Sequence, residues 1–172
     1  MKRIAGTLAV FAALLASAGC GKNTGDPAPA APPKPGPAPS AQTFDAIGTW
    51  TVTGHVTPGV SIMNEDAAKA RHGQTLELTE TAATSSGEHC ATPRYPTRDV
   101  PTEEFLATEF NLPPESLKEF EGRDQVTIVE ISCDGAPWTA FGSLLLEIDA
   151  GHVFTPWDGV FFELERSAEP AG

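Results

Sequence analysis

Three cysteines and four histidines have the widest chemical reach in this chain of 172 residues. Cys20, Cys90 and Cys133 could supply a nucleophilic thiolate, a metal ligand or a crosslink. His89 stands beside Cys90, but neighbours on a strand point to opposite faces, so it is poorly placed as a base for that thiol. Metal binding by Cys90, Cys133 and His89 lacks the close paired spacing of zinc sites. His55, His72, His89 and His152 are isolated from one another and read as surface residues. No Gly-x-Ser-x-Gly elbow, Walker loop, Rossmann fingerprint, zinc signature or EF-hand loop is present. Acids crowd residues 99–124, but no spacing marks a carboxylate pair for glycoside chemistry. The expectation is a protein that is not an enzyme, with no catalytic residue, no metal and no cofactor.

Cys20 has a different context. Lys2 and Arg3 are followed by an uncharged, mostly apolar run, Ile4 to Ala18, and then Gly19-Cys20-Gly21. A basic start, a short apolar stretch and small residues make a secretory signal. The run is too short for a comfortable membrane span, which needs about 20 residues. Ser17-Ala18-Gly19-Cys20, with Leu14 and Leu15 upstream, resembles the lipobox of bacterial lipoproteins, with Ser17 where Leu is most common. The resemblance implies removal of residues 1–19, a diacylglycerol thioether on Cys20, and lipid-bilayer anchoring through its acyl chains. Gly21 after the cysteine implies an outer-membrane lipoprotein of the cell envelope, facing the periplasm. An ordinary secretory signal is the alternative. With Cys20 lipidated, Cys90 and Cys133 remain as a pair in an oxidising compartment, which reads as one disulfide. A catalytic thiol and a metal site are the lesser readings.

Formal net charge is −12, and loss of residues 1–19 removes Lys2 and Arg3 but no acid, leaving −14. That excludes nucleic acid as a natural partner and permits a cationic one. Residues 20–43 read as the lipidated cysteine and a Pro/Ala-rich linker: Pro27, Pro29, Pro32, Pro33, Pro35, Pro37 and Pro39 favour extended polyproline II. Residues 44–166 are the expected folded domain, and 167–172 a disordered tail.

The domain's hydrophobic period is mostly two. Trp50, Val52 and Val56 share one phase, with His55 on the other. Leu76 and Leu78 alternate with polar neighbours; residues 126–131 are apolar on both faces. Trp138 to Ile148 reads as one further strand, and Val160, Phe162 and Leu164 point inward from a last one. Asp134-Gly135, Asp149-Ala150-Gly151 and Asp158-Gly159 are turn signals. Asn64 is placed to cap a helical turn or two, and Thr102 to cap 103–110. Pro113-Pro114 ends that helix, and a further helical segment over 115–121 carries Leu117 and Phe120. These helices read as a lid on a sheet. The expected class is mainly β: a small antiparallel β-barrel of about seven or eight strands with short helical insertions. Another small β-barrel or a β-sandwich with a helical lid is the alternative.

Phe44-Asp45 followed by Gly48-Thr49-Trp50 resembles the start of the first lipocalin strand, where Gly-x-Trp closes one barrel end. The resemblance implies a calycin-like barrel in which a basic residue from the last strand lies over the tryptophan. Arg166 shares the inward phase of Phe162 and Leu164 and suits that role, with Trp50 as its partner.

Two functions follow as expectations. One is a non-enzymatic envelope lipoprotein whose barrel binds a small apolar or amphipathic ligand. The other is a protein-binding module, for example an inhibitor of a cationic cell-wall hydrolase, docking through Glu115, Glu119 and Glu121; a structural envelope lipoprotein is a variant of it.

Overall fold

The computed structural model describes residues 44–167. The expected signal peptide and linker, Cys20 with them, and residues 168–172 of the expected tail lie outside those residues; Ser167 is described, its N–H bonded to the Thr49 carbonyl at 2.7 Å. In chain order the elements are β1 (Gly48–Val56), α1 (Glu65–Lys69), β2 (Thr75–Leu78), β3 (Ala83–Ser85), β4 (Glu88–Cys90), β5 (Pro93–Arg94) and β6 (Thr97–Pro101). There follow α2 (Thr102–Phe110), two 3-10 turns (Pro114–Ser116 and Lys118–Phe120), β7 (Gln125–Glu130), β8 (Ser132–Cys133) and β9 (Ala136–Pro137). The chain ends with β10 (Leu144–Asp149), β11 (His152–Trp157) and β12 (Val160–Arg166).

The protein is mainly β and antiparallel. Nine strands form one sheet in the order β4-β3-β2-β1-β12-β11-β10-β7-β6, and β5-β8-β9 form a second. Backbone pairing does not close a barrel among the described residues: β4 and β6 are the two edges of the large sheet. The twelve strands exceed the seven or eight expected because several are two- or three-residue pieces. The chain leaves the large sheet after β4 and again after β7, and pairs β5 with β8 instead. Side chains link these regions. Cys90 and Cys133 form a disulfide with Cα atoms 5.7 Å apart, joining edge strand β4 to the small sheet. Tyr95, between β5 and β6, donates its hydroxyl to the Thr79 carbonyl at 2.8 Å, beyond the end of β2. Burial pushes the Tyr95 phenol up from its ordinary range.

The central strands are covered on both faces, which explains their adjacent apolar pairs. Leu145, Val153 and Phe162 join Trp50, Val52, Leu76, Leu78 and Leu164 in one core. Their neighbours Leu146, Phe154 and Phe161 turn the other way, onto Phe105, Leu106, Leu112, Leu117 and Phe120 of the helical segment. The lid therefore lies on the sheet's second face. Each large side chain so buried contributes about 1.5–3 kcal/mol.

Four local expectations are corrected. A bulge in β1, between Val52 and Gly54, inserts one residue against β12 and reverses the phase. Val56 consequently packs on the lid side, and His55 turns toward Phe162, with ring centroids 6.0 Å apart. The strand expected over 138–148 begins only at Leu144, because Gly142 takes φ +86° and leaves extended geometry. Thr102 does not cap α2 with its side chain: Pro101 is the N-cap, and the buried Thr102 hydroxyl has no partner. Asn64 does cap α1, accepting from the Ala67 N–H at 2.9 Å. The helix expected over 115–121 resolves into the two 3-10 turns.

Candidate binding cleft

Trp50, Leu76, Phe162 and Leu164 are fully buried in one core. An open cleft of about 460 Å³ lies at the surface, and its lining includes Arg71, Glu88, His89, Trp138, Phe141 and Trp157.

Each wall has a local cause. Asp158 and Gly159 both take positive φ, at 53° and 83°, in the two-residue turn that sends β12 back beside β11. Trp157 stands at that turn, paired with Val160. Asp134 and Gly135 repeat this conformation between β8 and β9, and the chain emerging from β9 presents Trp138. Trp138 is held by its N–H to the Ile131 carbonyl at 2.9 Å. Phe141, buried, packs edge-on against Trp157 and Phe162 at 6.0 and 5.3 Å between centroids. Cys133 brings the disulfide to the cleft's edge.

Arg71 supplies the charge. It sits on the turn after α1, which is pinned to β1 by the Gly73 N–H to the Val52 carbonyl at 2.8 Å and the Val52 N–H to the Gln74 carbonyl at 2.9 Å. Its guanidinium lies 4.7 Å from the Phe141 ring centroid, 5.8 Å from that of Trp157 and 5.9 Å from that of Phe162. Nη1 donates to Gln74 Oε1 at 3.2 Å. Among the described residues no carboxylate forms an ion pair with Arg71. Stacking on rings stabilises a guanidinium by about 1–2 kcal/mol when partly desolvated. It leaves N–H groups directed away from the rings for an incoming acceptor.

Beside this turn is an array absent from the sequence reading. His55 Nε2 donates to Glu65 Oε2 at 3.2 Å, since a carboxylate only accepts. His55 Nδ1 meets His72 Nε2 at 2.8 Å. The His55 bond first, and Lys69 at 3.2 Å second, hold the Glu65 carboxyl below its usual range. His152 pairs with Asp149 Oδ1 at 2.8 Å, and the Gly151 N–H, then His152, lower the Asp149 carboxyl. Three of the four histidines thus contact other titratable groups. Among the described residues no group of three or more His, Cys, Asp or Glu is disposed to hold a metal ion.

The other singled-out residues lie elsewhere. The Arg166 guanidinium is 4.3 Å from the Trp50 ring centroid. It also donates to the carbonyls of Asp45 and Ile47, and through Nε to that of Ala150 at 3.1 Å. Glu115 and Glu119 stand on the two 3-10 turns, with Glu121 just beyond. Glu115 and Glu121 are exposed and Glu119 is partly buried. Glu115 shares with Glu103, Leu112 and Pro113 a separate shallow cleft of about 490 Å³. No protein-family model, curated protein or solved structure matches the chain.

Proposed function

We propose that this protein is a non-enzymatic binding module, tethered to the bacterial outer membrane by lipid on Cys20. Its ligand is a small amphipathic molecule with an anionic group, held in the Arg71 cleft. The observation that carries this reading is a partly buried guanidinium stacked on Phe141, with Trp157 and Trp138 beside it and no carboxylate partner among the described residues. An apolar body would lie on the rings, and the anion would take the free guanidinium N–H groups in a charge-assisted bond. Exposed Glu88 lines the same cleft and opposes an anion there, so Arg71 must carry the attraction. The acidic segment 99–124 lies largely on the lid side of the sheet, and exposed charges beyond about 8 Å are screened at physiological salt. The ligand of this reading occupies a surface cleft, not a barrel interior.

The Gly48-Thr49-Trp50 start and the stacked Arg166 support a lipocalin-like barrel end. The disulfide ties edge strand β4 to the small sheet, and Tyr95, just before β6, ties to the chain after β2.

The test is binding of 2-naphthalenesulfonate, a small amphipathic anion, followed by tryptophan quenching. Arg71→Gln should weaken binding by about tenfold or more, and Trp138→Ala by a similar factor, without loss of folding. Equal affinity in wild type and Arg71→Gln, or no binding at millimolar probe, would remove the basis for this reading.

A further inference from the structure

His55 and His72 meet ring to ring beside the turn that carries Arg71, adding a side-chain tie ahead of the backbone bonds at Gly73 and Gln74. The His55 side chain is only 8% exposed, and its ring centroid is 5.0 Å from that of His72. The charged or titratable groups around the pair are Glu65 and Lys69 from α1 and Arg71 from the turn itself; Glu163 of β12 lies over Gly54 on the other face of the sheet. A nitrogen–nitrogen hydrogen bond at 2.8 Å needs one N–H and one lone pair. With both rings neutral, His55 gives its proton to Glu65, so His72 Nε2–H must donate to His55 Nδ1. One added proton leaves that bond in place and strengthens it by charge. A second makes both rings imidazolium, N–H faces N–H, and the rings must part. His55 is held by burial against Phe162. His72 is exposed and precedes Gly73, whose φ of +80° makes it the natural pivot.

We infer that the His55–His72 pair is a proton-operated latch on the cleft. Double protonation swings His72 and Arg71 outward ahead of Gly73, whose backbone stays bonded to Val52, draws Arg71 off Phe141 and Trp157, and lowers affinity for an anion. As regulation of the cleft it rests on the reading above. Imidazoles titrate near pH 6.5. Two imidazolium charges at this ring separation repel, which favours the parted arrangement. His89, also in the cleft, acts in the opposite sense, since protonating it would strengthen anion binding. A fall in affinity with acid therefore distinguishes the latch from simple charging of the cleft.

The experiment uses the purified full-length chain, wild type and His72→Gln. Histidine ring protons are followed by NMR without ligand, and 2-naphthalenesulfonate affinity is measured between about pH 7.5 and about pH 4.5, where the sulfonate stays ionised. The expected result is a coupled two-step titration of His55 and His72. Affinity falls about tenfold across the range in wild type and less than about threefold in His72→Gln, which keeps a donor but cannot take the second proton. Independent single titrations of the two rings, or equal acid loss in the variant, overturn the latch while leaving the cleft reading intact. If the probe fails to bind even at the upper pH, the cleft reading falls and the NMR arm decides the latch. Movement of the Arg71 and Gly73 amide signals at the second step supports it, and their stillness overturns it.

Discussion

Arg166 concentrates several interactions in one side chain. Its guanidinium lies over Trp50, and it donates to the carbonyls of Asp45, Ile47 and Ala150, tying the chain before β1 and the turn after β10 to the last strand. Removing it loses a cation–π contact and three bonds to carbonyls, of which that to Ile47 is part-buried. Arg166→Ala should cost about 2 kcal/mol or more in denaturant melts, against a few tenths for the exposed Glu165→Ala. Equal costs would mean that the stack contributes no net stability. Asp149 sets a separate acid limit. Its carboxyl is lowered, so it contributes stability above the unfolded value near 3.9 and loses it as pH falls through the lower folded value.

Among the elements, the β11–β12 hairpin has the most distinctive neighbour. The loop after β1 docks on its turn: the Ser61 hydroxyl donates to the Asp158 carbonyl at 2.7 Å, and the Ile62 N–H reaches the same oxygen at 3.2 Å. Val60 and Ile62 are left exposed. A Cβ on Gly159 would come within 2.5 Å of the Val60 carbonyl oxygen, whereas one on Gly135 would meet nothing within 4 Å. Both glycines have φ above +80°. Gly159→Ala and Gly135→Ala therefore share the backbone cost of about 1 kcal/mol, and only the first should carry a further 1–3 kcal/mol for displacing the loop. Thermal melts of the two variants measure the difference. Equal shifts would mean that the loop yields without cost.

For the molecule as a whole, two covalent features set the design. The Cys90–Cys133 disulfide joins the edge of the large sheet to the small one; in the chain-entropy model, closing a loop of this length contributes about 4 kcal/mol. The other is the proposed lipid on Cys20. Among the described residues no helix is long and apolar enough to cross a membrane. Cys20→Ala should move the protein from the membrane fraction to the soluble envelope fraction or block its processing. Unchanged mass and partitioning would refute acylation.

The amino-acid sequence by itself determined the local alternation, the turns and the caps that need no distant partner. Asp158-Gly159 and Asp134-Gly135 announce tight turns because few residues tolerate positive φ, and Asn64 announces a cap because its side chain reaches the Ala67 N–H three residues on. The inward phase of Val160, Phe162 and Leu164 is legible because strand periodicity is local. The tertiary structure alone decided where the alternation breaks. The bulge in β1 turns His55 from an apparent surface residue into a buried partner of His72 and Glu65, 17 and 10 residues away. Nothing in the spacing of isolated histidines encodes that meeting. It depends on the turn after α1 folding back onto β1. The cleft is hidden from sequence for the same reason: Arg71, Trp138, Phe141 and Trp157 come from three separate stretches and converge only when the hairpins pack. Whether the sheet closes was also beyond local reading. Closure depends on which edge strands find partners across the whole molecule, and here β5 and β8 pair with each other, leaving β4 and β6 as edges.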